Sequence, residues 1–444
     1  MIRDMSTNLS SNAVMWSQPR LASIELRLRP LEQRQSQIGF LRLVWLAMAL
    51  SVMATVEPSP GDIGVAFLLG SGFIFGKLNW SGLPTLPLAL LGLFVLANLV
   101  SLCFAVDLSF GASYGLITLF MITLWLFIVG IMTRFEERGL HVLMSGYAIG
   151  GIVSAALALL AYMGVLSKMT SWVPYLNLLQ LDEMLLYFGE RLRGFFKDPN
   201  VFGPYLVVVV GYALCSLQAG SRSYIRKIFW TASCLICTLG VLMCFSRAAW
   251  ANYVVTITVL LVLNAMASRT RGGAQHSIVY FLICALIVGT AVAYTLTSPR
   301  VSEFAANRSE MQSYDEDRFA KHWEALELGL HNPLGAGPGQ SHLLLGGYNA
   351  HSLPLGVFSE NGIIGLLSLV GFMLATFIRA LVLSQKAGNH FQRSMFALVA
   401  AAIAGTLLNS VVIDAIHWRH FWFLLGLAWM PLWVSENTVR KKPW

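Results

Sequence analysis

The stretch RLRGFFKDPN sets Arg191, Arg193 and Lys197 just ahead of the apolar run VFGPYLVVVV. A guanidinium carries a planar fork of donors that matches the oxygens of a phosphate or diphosphate two at a time. Asp198, Pro199 and Asn200 signal a turn and a helix start, and Pro199 suits the first helical turn because its missing N–H is not needed there. Backbone N–H groups at such a start, with the macrodipole behind them, favour the same anion. Gly194 lets the chain pass close to it. A third arginine, Arg247 in FSRAAW, occupies a very short connection between two apolar runs.

Further chemistry lies in the segment DEDRFAKHWEALELGL, where Phe319, Trp323, Leu326 and Leu330 recur at helical spacing. That spacing predicts a helix packing this face onto the rest of the protein, with Arg318 and Lys321 reaching inward from its flank. Asp315 and Asp317 form a DxD pattern that could hold a divalent cation, but acids opening a helix also stabilise its N-terminal dipole, and capping is the reading preferred here. NPLGAGPGQ follows, with Gly335, Gly337 and Gly339; it lacks the Lys and Ser/Thr of a phosphate-binding P-loop and reads as a structural turn. His351 then stands at the start of another apolar run, where an imidazole can take a proton from a hydroxyl or, when protonated, pair with phosphate. Glu360, Gly362 and Gly365 fall inside that run; an acid there must be paired or face a wet cavity. His342 reads as an ordinary polar residue. In DAIHWRHFW, His417 and His420 have a spacing that could hold a metal, yet with Trp418 and Trp422 alongside the simpler reading is an interfacial aromatic belt.

The elements that must position these groups are membrane helices. The 444-residue chain is 56% hydrophobic and only 12% charged, too apolar for a soluble protein. About twelve apolar segments are long enough to cross a bilayer, at 38–56, 62–77, 83–105, 112–133, 140–163, 199–218, 226–245, 248–266, 278–297, 353–378, 393–413 and 418–434. The expected class is an all-α polytopic membrane protein. Residues 1–37 show no cleavable leader pattern and are expected to form a cytoplasmic tail. Nine spans follow over 38–297, interrupted by an outer segment at 164–198; then come a long outer loop at 298–352, three spans over 353–434 and a cytoplasmic tail at 435–444.

With the amino terminus inside, Lys77, Arg134, Arg138, Arg222, Arg226, Lys227, Arg269, Arg271, Arg379, Lys386, Arg393, Arg440, Lys441 and Lys442 all fall on the cytoplasmic side. This satisfies the positive-inside rule loop by loop. The remaining cations, Arg191, Arg193, Lys197, Arg247, Arg318, Lys321 and Arg419, cluster on the other side, which the rule disfavours. Snorkelling toward lipid phosphates explains any one of them. An anionic ligand explains the cluster better. The six cysteines lie in apolar runs, where thiols pack as small hydrophobes, and the Cys234–Cys237 pair has no second CxxC to make a metal site.

Arg191-x-x-Gly194-x-x-x-x-Pro199-Asn200 before one span, Ser246-Arg247 at the next outer turn, and a long outer loop ending in His351 and Glu360-x-Gly362-x-x-Gly365 together resemble the O-antigen ligase and polymerase superfamily. The resemblance covers about residues 190–370. It implies a bacterial inner-membrane glycosyltransferase of the GT-C type with its active site facing the periplasm and both termini cytoplasmic. The implied donor is an undecaprenyl-diphosphate-linked glycan and the acceptor lipid A-core or another glycan, with inversion at the anomeric carbon. By resemblance Arg191 and Arg247 would hold the diphosphate and His351 would act on the acceptor hydroxyl. Arg193, Lys197, Arg318, Lys321 and Glu360 would contribute to substrate binding. No metal or other cofactor and no nucleic-acid partner is implied, and membrane lipids surround the chain. Ligase and polymerase share this donor chemistry and stay undivided. A flippase or transporter is the rival of another class; such proteins usually show two similar halves and bind near the midplane.

Overall fold

The computed structural model describes residues 35–170, 181–188, 190–219, 223–267 and 313–430, with scattered positions between 279 and 306. Long apolar runs without interior breakers form helices, and in a bilayer a helix satisfies its own backbone. Among the described residues seven helices are long and apolar enough to cross a membrane. In chain order the elements are α1 (35–50), α2 (Pro60–Ile74), α3 (Thr85–Leu102), α4 (Leu108–Tyr162), α5 (Val165–Thr170), α6 (Leu181–Leu185), β1 (Leu186–Tyr187) and β2 (Arg191–Leu192). Then follow α7 (Pro199–Gln218), α8 (Tyr224–Met243), α9 (Arg247–Ala267), α10 (Ser313–His331), α11 (Gln340–Leu344), α12 (Leu353–Lys386), α13 (His390–Ser410) and α14 (Arg419–Leu427). The protein is an all-α polytopic membrane protein, with one two-stranded hairpin among the described residues.

Two of the long helices are broken. At 55 residues α4 exceeds any bilayer, and it turns at Glu136, whose φ of 53° is left-handed. A Cβ on Gly139 would lie 2.9 Å from the carbonyl oxygen of Ile131, a residue that a straight helix would place about 12 Å further along. The chain therefore doubles back, and α4 is two spans. In α12 the break falls at Gly362 (φ 69°, ψ −172°). There the glycine-rich turn docks: Ala336 N donates to Ser359 O at 2.9 Å, Gly337 N to Glu360 O at 3.0 Å, and Ile363 N to Pro333 O at 3.1 Å. The opened backbone of one helix becomes the hydrogen-bonding partner of the loop before it.

The buried centre is built from α7 and α13, whose residues are mostly out of reach of lipid and water. Tyr147 of α4 and Tyr205 of α7 stack with ring centres 4.0 Å apart. Each hydroxyl donates to the other's backbone carbonyl, at 3.0 and 2.8 Å. Arg379 closes the end of α14 by donating to Ala428 O at 2.9 Å and Met430 O at 2.7 Å.

Three sequence expectations change. First, α10 forms, but Phe319, Trp323 and Leu330 are 53%, 63% and 65% exposed. The helix packs through Ala325 and Gly329 instead, with Ala325 against Leu345 and Ala350 and Gly329 against the Phe358 ring. Small residues let two backbones approach, so they select the contact face even where larger apolar residues are available. Second, Trp418 and Trp422 are no surface belt: both are buried, and Trp422 Nε1 donates to Ile416 O at 2.6 Å. Third, the segment expected to span at 62–77 is a 15-residue helix, and the described part of the segment at 418–434 holds only the nine-residue α14. The segment at 278–297 lies outside the residues described continuously.

Candidate active site

A cavity of about 710 Å³ opens where four stretches of chain meet. Tyr187, Arg191 and Asn200 come from the hairpin and the start of α7; Phe245 to Ala248 and Ala251 from the α8–α9 turn and α9; Arg318 and Phe319 from α10; and Leu408 to Ile413, except Ser410, from the end of α13. The structure thus brings Arg191, Arg247 and Arg318 to one space. Among the described residues no acidic side chain lines it. Arg191, Asn200, Ser246, Arg247 and Arg318 give it a cationic and polar lining, and Leu408, Val411, Val412 and Ile413 give it an apolar one.

The hairpin explains how an arginine from the segment before α7 reaches this wall. Leu186 pairs with Leu192 and Tyr187 with Arg191 in an antiparallel register, and the guanidinium carbon of Arg191 sits 5.8 Å from the centre of the Tyr187 ring, within cation–π range. Arg191 is only 8% exposed. Its Nε donates to Cys244 O at 2.8 Å and Nη2 to Asn200 Oδ1 at 3.3 Å. Cys244 ends α8, so this one side chain ties the hairpin to the turn that presents Arg247 and to the first turn of α7.

Two helix amino termini face the cavity. Asp198 caps α7 by accepting from Asn200 N at 2.8 Å. Ser246 caps α9 by accepting from Ala249 N at 3.2 Å, which leaves Arg247 as the first helical residue. Phe245, at φ 47°, makes the sharp reversal between α8 and α9. Both dipoles add positive potential to that of the arginines.

His351 lies at the foot of α12, half-buried, with φ 47°, and Ser352 follows as the helix cap. It is not a wall residue of the cavity, but Arg318, which is, acts on its charge, as do His322 and Asp198. Burial pushes the His351 imidazole below its ordinary value; the positive charges of Arg318 and His322 push the same way, and Asp198 opposes them. The ring is therefore held neutral and can accept a proton. His322 pairs with the backbone of His351 and is itself shifted down, chiefly by burial.

The other expected site residues sit elsewhere. Arg193 braces α6, donating to Glu183 O at 2.7 Å and Met184 O at 3.2 Å. Lys197 pairs with Glu57 at 2.9 Å, and Lys321 pairs with Glu324 at 2.6 Å while lying 5.9 Å from the Tyr348 ring centre. Glu360 is 6% exposed and accepts from Gly339 N at 2.9 Å and from the Ser341 hydroxyl, so it anchors the glycine-rich turn. Arg419 is held by both carboxylate oxygens of Asp62, at 2.7 and 2.9 Å. His417 packs on Tyr114 with ring centres 4.4 Å apart and shares a 2.9 Å hydrogen bond with the Thr118 hydroxyl. The Asp315 side chain lies outside the described residues. Among the described residues no group of three His, Cys, Asp or Glu side chains is placed to hold a metal ion.

Sequence reasoning missed Tyr187, Ser246 and Asn409 as wall residues. Ser246 was legible as a helix cap, and Asn409 as a polar residue within an apolar run, a placement that is costly in a membrane without a purpose. Tyr187 depends on the hairpin and left no local signal.

No curated protein matches the chain. Residues 232–370 match the family model described as O-antigen ligase, a stretch that contains Arg247, Arg318 and His351 and runs from α8 into α12. Over those residues the chain is similar to the O-antigen ligase family, and its long apolar helices are those of a multi-pass membrane protein.

Proposed function

We propose that this protein is a glycosyltransferase of the GT-C type that moves a glycan from an undecaprenyl-diphosphate-linked donor to an acceptor hydroxyl, as on lipid A-core, at the periplasmic face of the inner membrane. One observation carries this reading: Arg191, Arg247 and Arg318 share a cavity with no acid among its described lining residues, and Leu408, Val411, Val412 and Ile413 add apolar lining to it. A polyprenyl diphosphate is an amphiphile of that pattern, with anionic oxygens at one end and hydrocarbon at the other. The distribution of basic residues supports cytoplasmic termini at 1–37 and 435–444 and a periplasmic loop at 298–352.

In the transferring step the acceptor oxygen bonds to the anomeric carbon as the bond from that carbon to the diphosphate oxygen breaks. The diphosphate leaves with the electron pair. Negative charge grows on the leaving group, and preorganised guanidinium donors with two helix amino termini stabilise it more in the transition state than in the ground state. His351, held neutral, orients the acceptor hydroxyl and takes its proton. Attack opposite the leaving group inverts the anomeric centre. Three guanidinium groups can neutralise a diphosphate without a divalent cation. The position of the cavity, at helix starts rather than at broken helices near a midplane, favours surface chemistry over transport.

The test is reconstitution in lipid vesicles with a lipid extract of the native host as source of donor and acceptor, following donor consumption and product size. Wild type should consume the donor, whereas Arg247→Ala and His351→Ala should not. A glycan ladder still carried on lipid diphosphate identifies a polymerase, and transfer to another acceptor a ligase. An untouched donor, with donor and acceptor verified, removes the enzyme reading and directs attention to transport.

A further inference from the structure

Asn409 lines the cavity from the last turn of α13, and its side chain is 1% exposed. Neither its Oδ1 nor its Nδ2 has a hydrogen-bond partner. Buried carboxamides are paired in nearly all proteins, and one left wholly unpaired within a membrane bundle asks for an explanation. A second carboxamide stands nearby. Asn252 of α9 follows directly on the wall residue Ala251 and lies one helical turn beyond Ala248, and its Nδ2 is also without a partner. Its Oδ1 accepts from the Thr256 hydroxyl at 3.0 Å and would lie 2.8 Å from a Cβ on Gly405, one turn from Asn409.

Three orphaned atoms therefore sit on two facing helices beside the cavity: two amide nitrogens and one amide oxygen. The amide nitrogen of Asn409 is a donor at the edge of an arginine-lined cavity, a place that suits an anionic oxygen. A hydroxyl or carbonyl could satisfy one isolated atom, but a donor beside three guanidinium groups and two helix starts suits a phosphate oxygen best.

We infer that Asn409 is a further ligand-contacting residue, donating from its carboxamide to a diphosphate oxygen of the lipid donor. This rests on the diphosphate reading of the cavity. A neutral donor suits this place: it adds a hydrogen bond without another charge to desolvate below the arginines.

The experiment uses the full-length protein in detergent at pH 8, with farnesyl diphosphate as the probe and farnesol as its uncharged counterpart. Binding is titrated and melting temperature is recorded for wild type, Asn409→Leu and Asn409→Asp. Wild type should bind farnesyl diphosphate more tightly than farnesol. Asn409→Leu should weaken diphosphate binding about tenfold to a hundredfold, the range of a hydrogen bond to a charged group, and leave farnesol binding unchanged. It should melt no lower than wild type, because it removes buried polar atoms that have no partner. Asn409→Asp places an anion against an anion and should weaken diphosphate binding further. Diphosphate binding unchanged in Asn409→Leu overturns the inference while leaving the site reading intact. Weakened binding accompanied by a lower melting temperature in both variants marks Asn409 as a packing residue and also overturns it. Wild type binding the diphosphate no more tightly than farnesol instead defeats the site reading, and the inference with it.

Discussion

The Nε of Arg191 donates to the backbone carbonyl of Cys244 at 2.8 Å, across 53 residues of chain. That bond fixes where the α8–α9 turn begins, and hence where Arg247 stands. Arg191 has two duties, as a charge and as a fork that joins elements, and lysine can perform only the first. Arg191→Lys should therefore lose nearly as much kcat/KM as Arg191→Ala, roughly 10²–10³-fold, and about 1–3 kcal/mol of stability from the unmatched carbonyl. Arg247→Lys, at the start of a helix, should retain more activity. Donor-consumption kinetics and thermal melts on the three variants check this.

His351 titrates below its ordinary value, first through burial and then through Arg318 and His322. If the neutral ring accepts the acceptor's proton, the acidic limb of kcat/KM should fall below about pH 6.5. Arg318→Ala removes a positive neighbour, so it should move that limb to higher pH while also lowering the rate. For stability the sign is set by proton uptake. The unfolded chain binds the proton more readily, so stability declines as pH falls through the unfolded value of about 6.5 and is unaffected by this group well above it. His351→Gln should flatten that part of the stability curve.

At Gly362 the backbone is left-handed, and a Cβ would collide with the carbonyl oxygen of Pro333. Gly362→Ala should cost about 1–3 kcal/mol from backbone strain alone, and more because it dislodges the glycine-rich turn from the broken helix. Gly115, which has nothing within 4 Å of a Cβ position, is the control: alanine there should be neutral or slightly stabilising, by up to about 1 kcal/mol. Paired thermal melts decide the comparison.

The contact face of α10 gives a fourth test. Gly329 abuts the Phe358 ring, whereas Trp323 is exposed. Gly329→Ala should destabilise the loop by roughly 1–3 kcal/mol through overpacking, while Trp323→Ala should stay within about 0.5 kcal/mol. The reverse order would restore the face that periodicity alone selects. Limited proteolysis of the 298–352 region reports on both.

What the sequence disclosed, and what it hid, follow from the same physics. Arg191, Arg247 and Arg318 stood out because the positive-inside reading put them at span ends on the side it disfavours, where a cation carries a cost that a partner offsets. The hairpin holding Arg191 was invisible, since two-residue strands are too short to show a period of two. Periodicity misread α10 because it assumes that the largest apolar residues face the protein, an assumption that weakens once lipid is one of the solvents; Ala325 and Gly329 carried the contact. Glu360 was legible as an acid in need of a partner. That the partner is the Gly339 amide, 21 residues earlier, depends on a broken helix that no local pattern shows.

The cavity draws its wall from residues 187–200, 245–251, 318–319 and 408–413, while the family-matched stretch runs only from 232 to 370. Its first and last portions therefore lie outside the part by which the chain is recognised. Grafting residues 232–370 into a relative would carry Arg247, Arg318 and His351 across but leave behind Arg191 and the whole apolar wall. On the proposed reading, substrate preference would not be a transferable cassette, and two chains alike over the matched stretch could still differ in the molecule they hold.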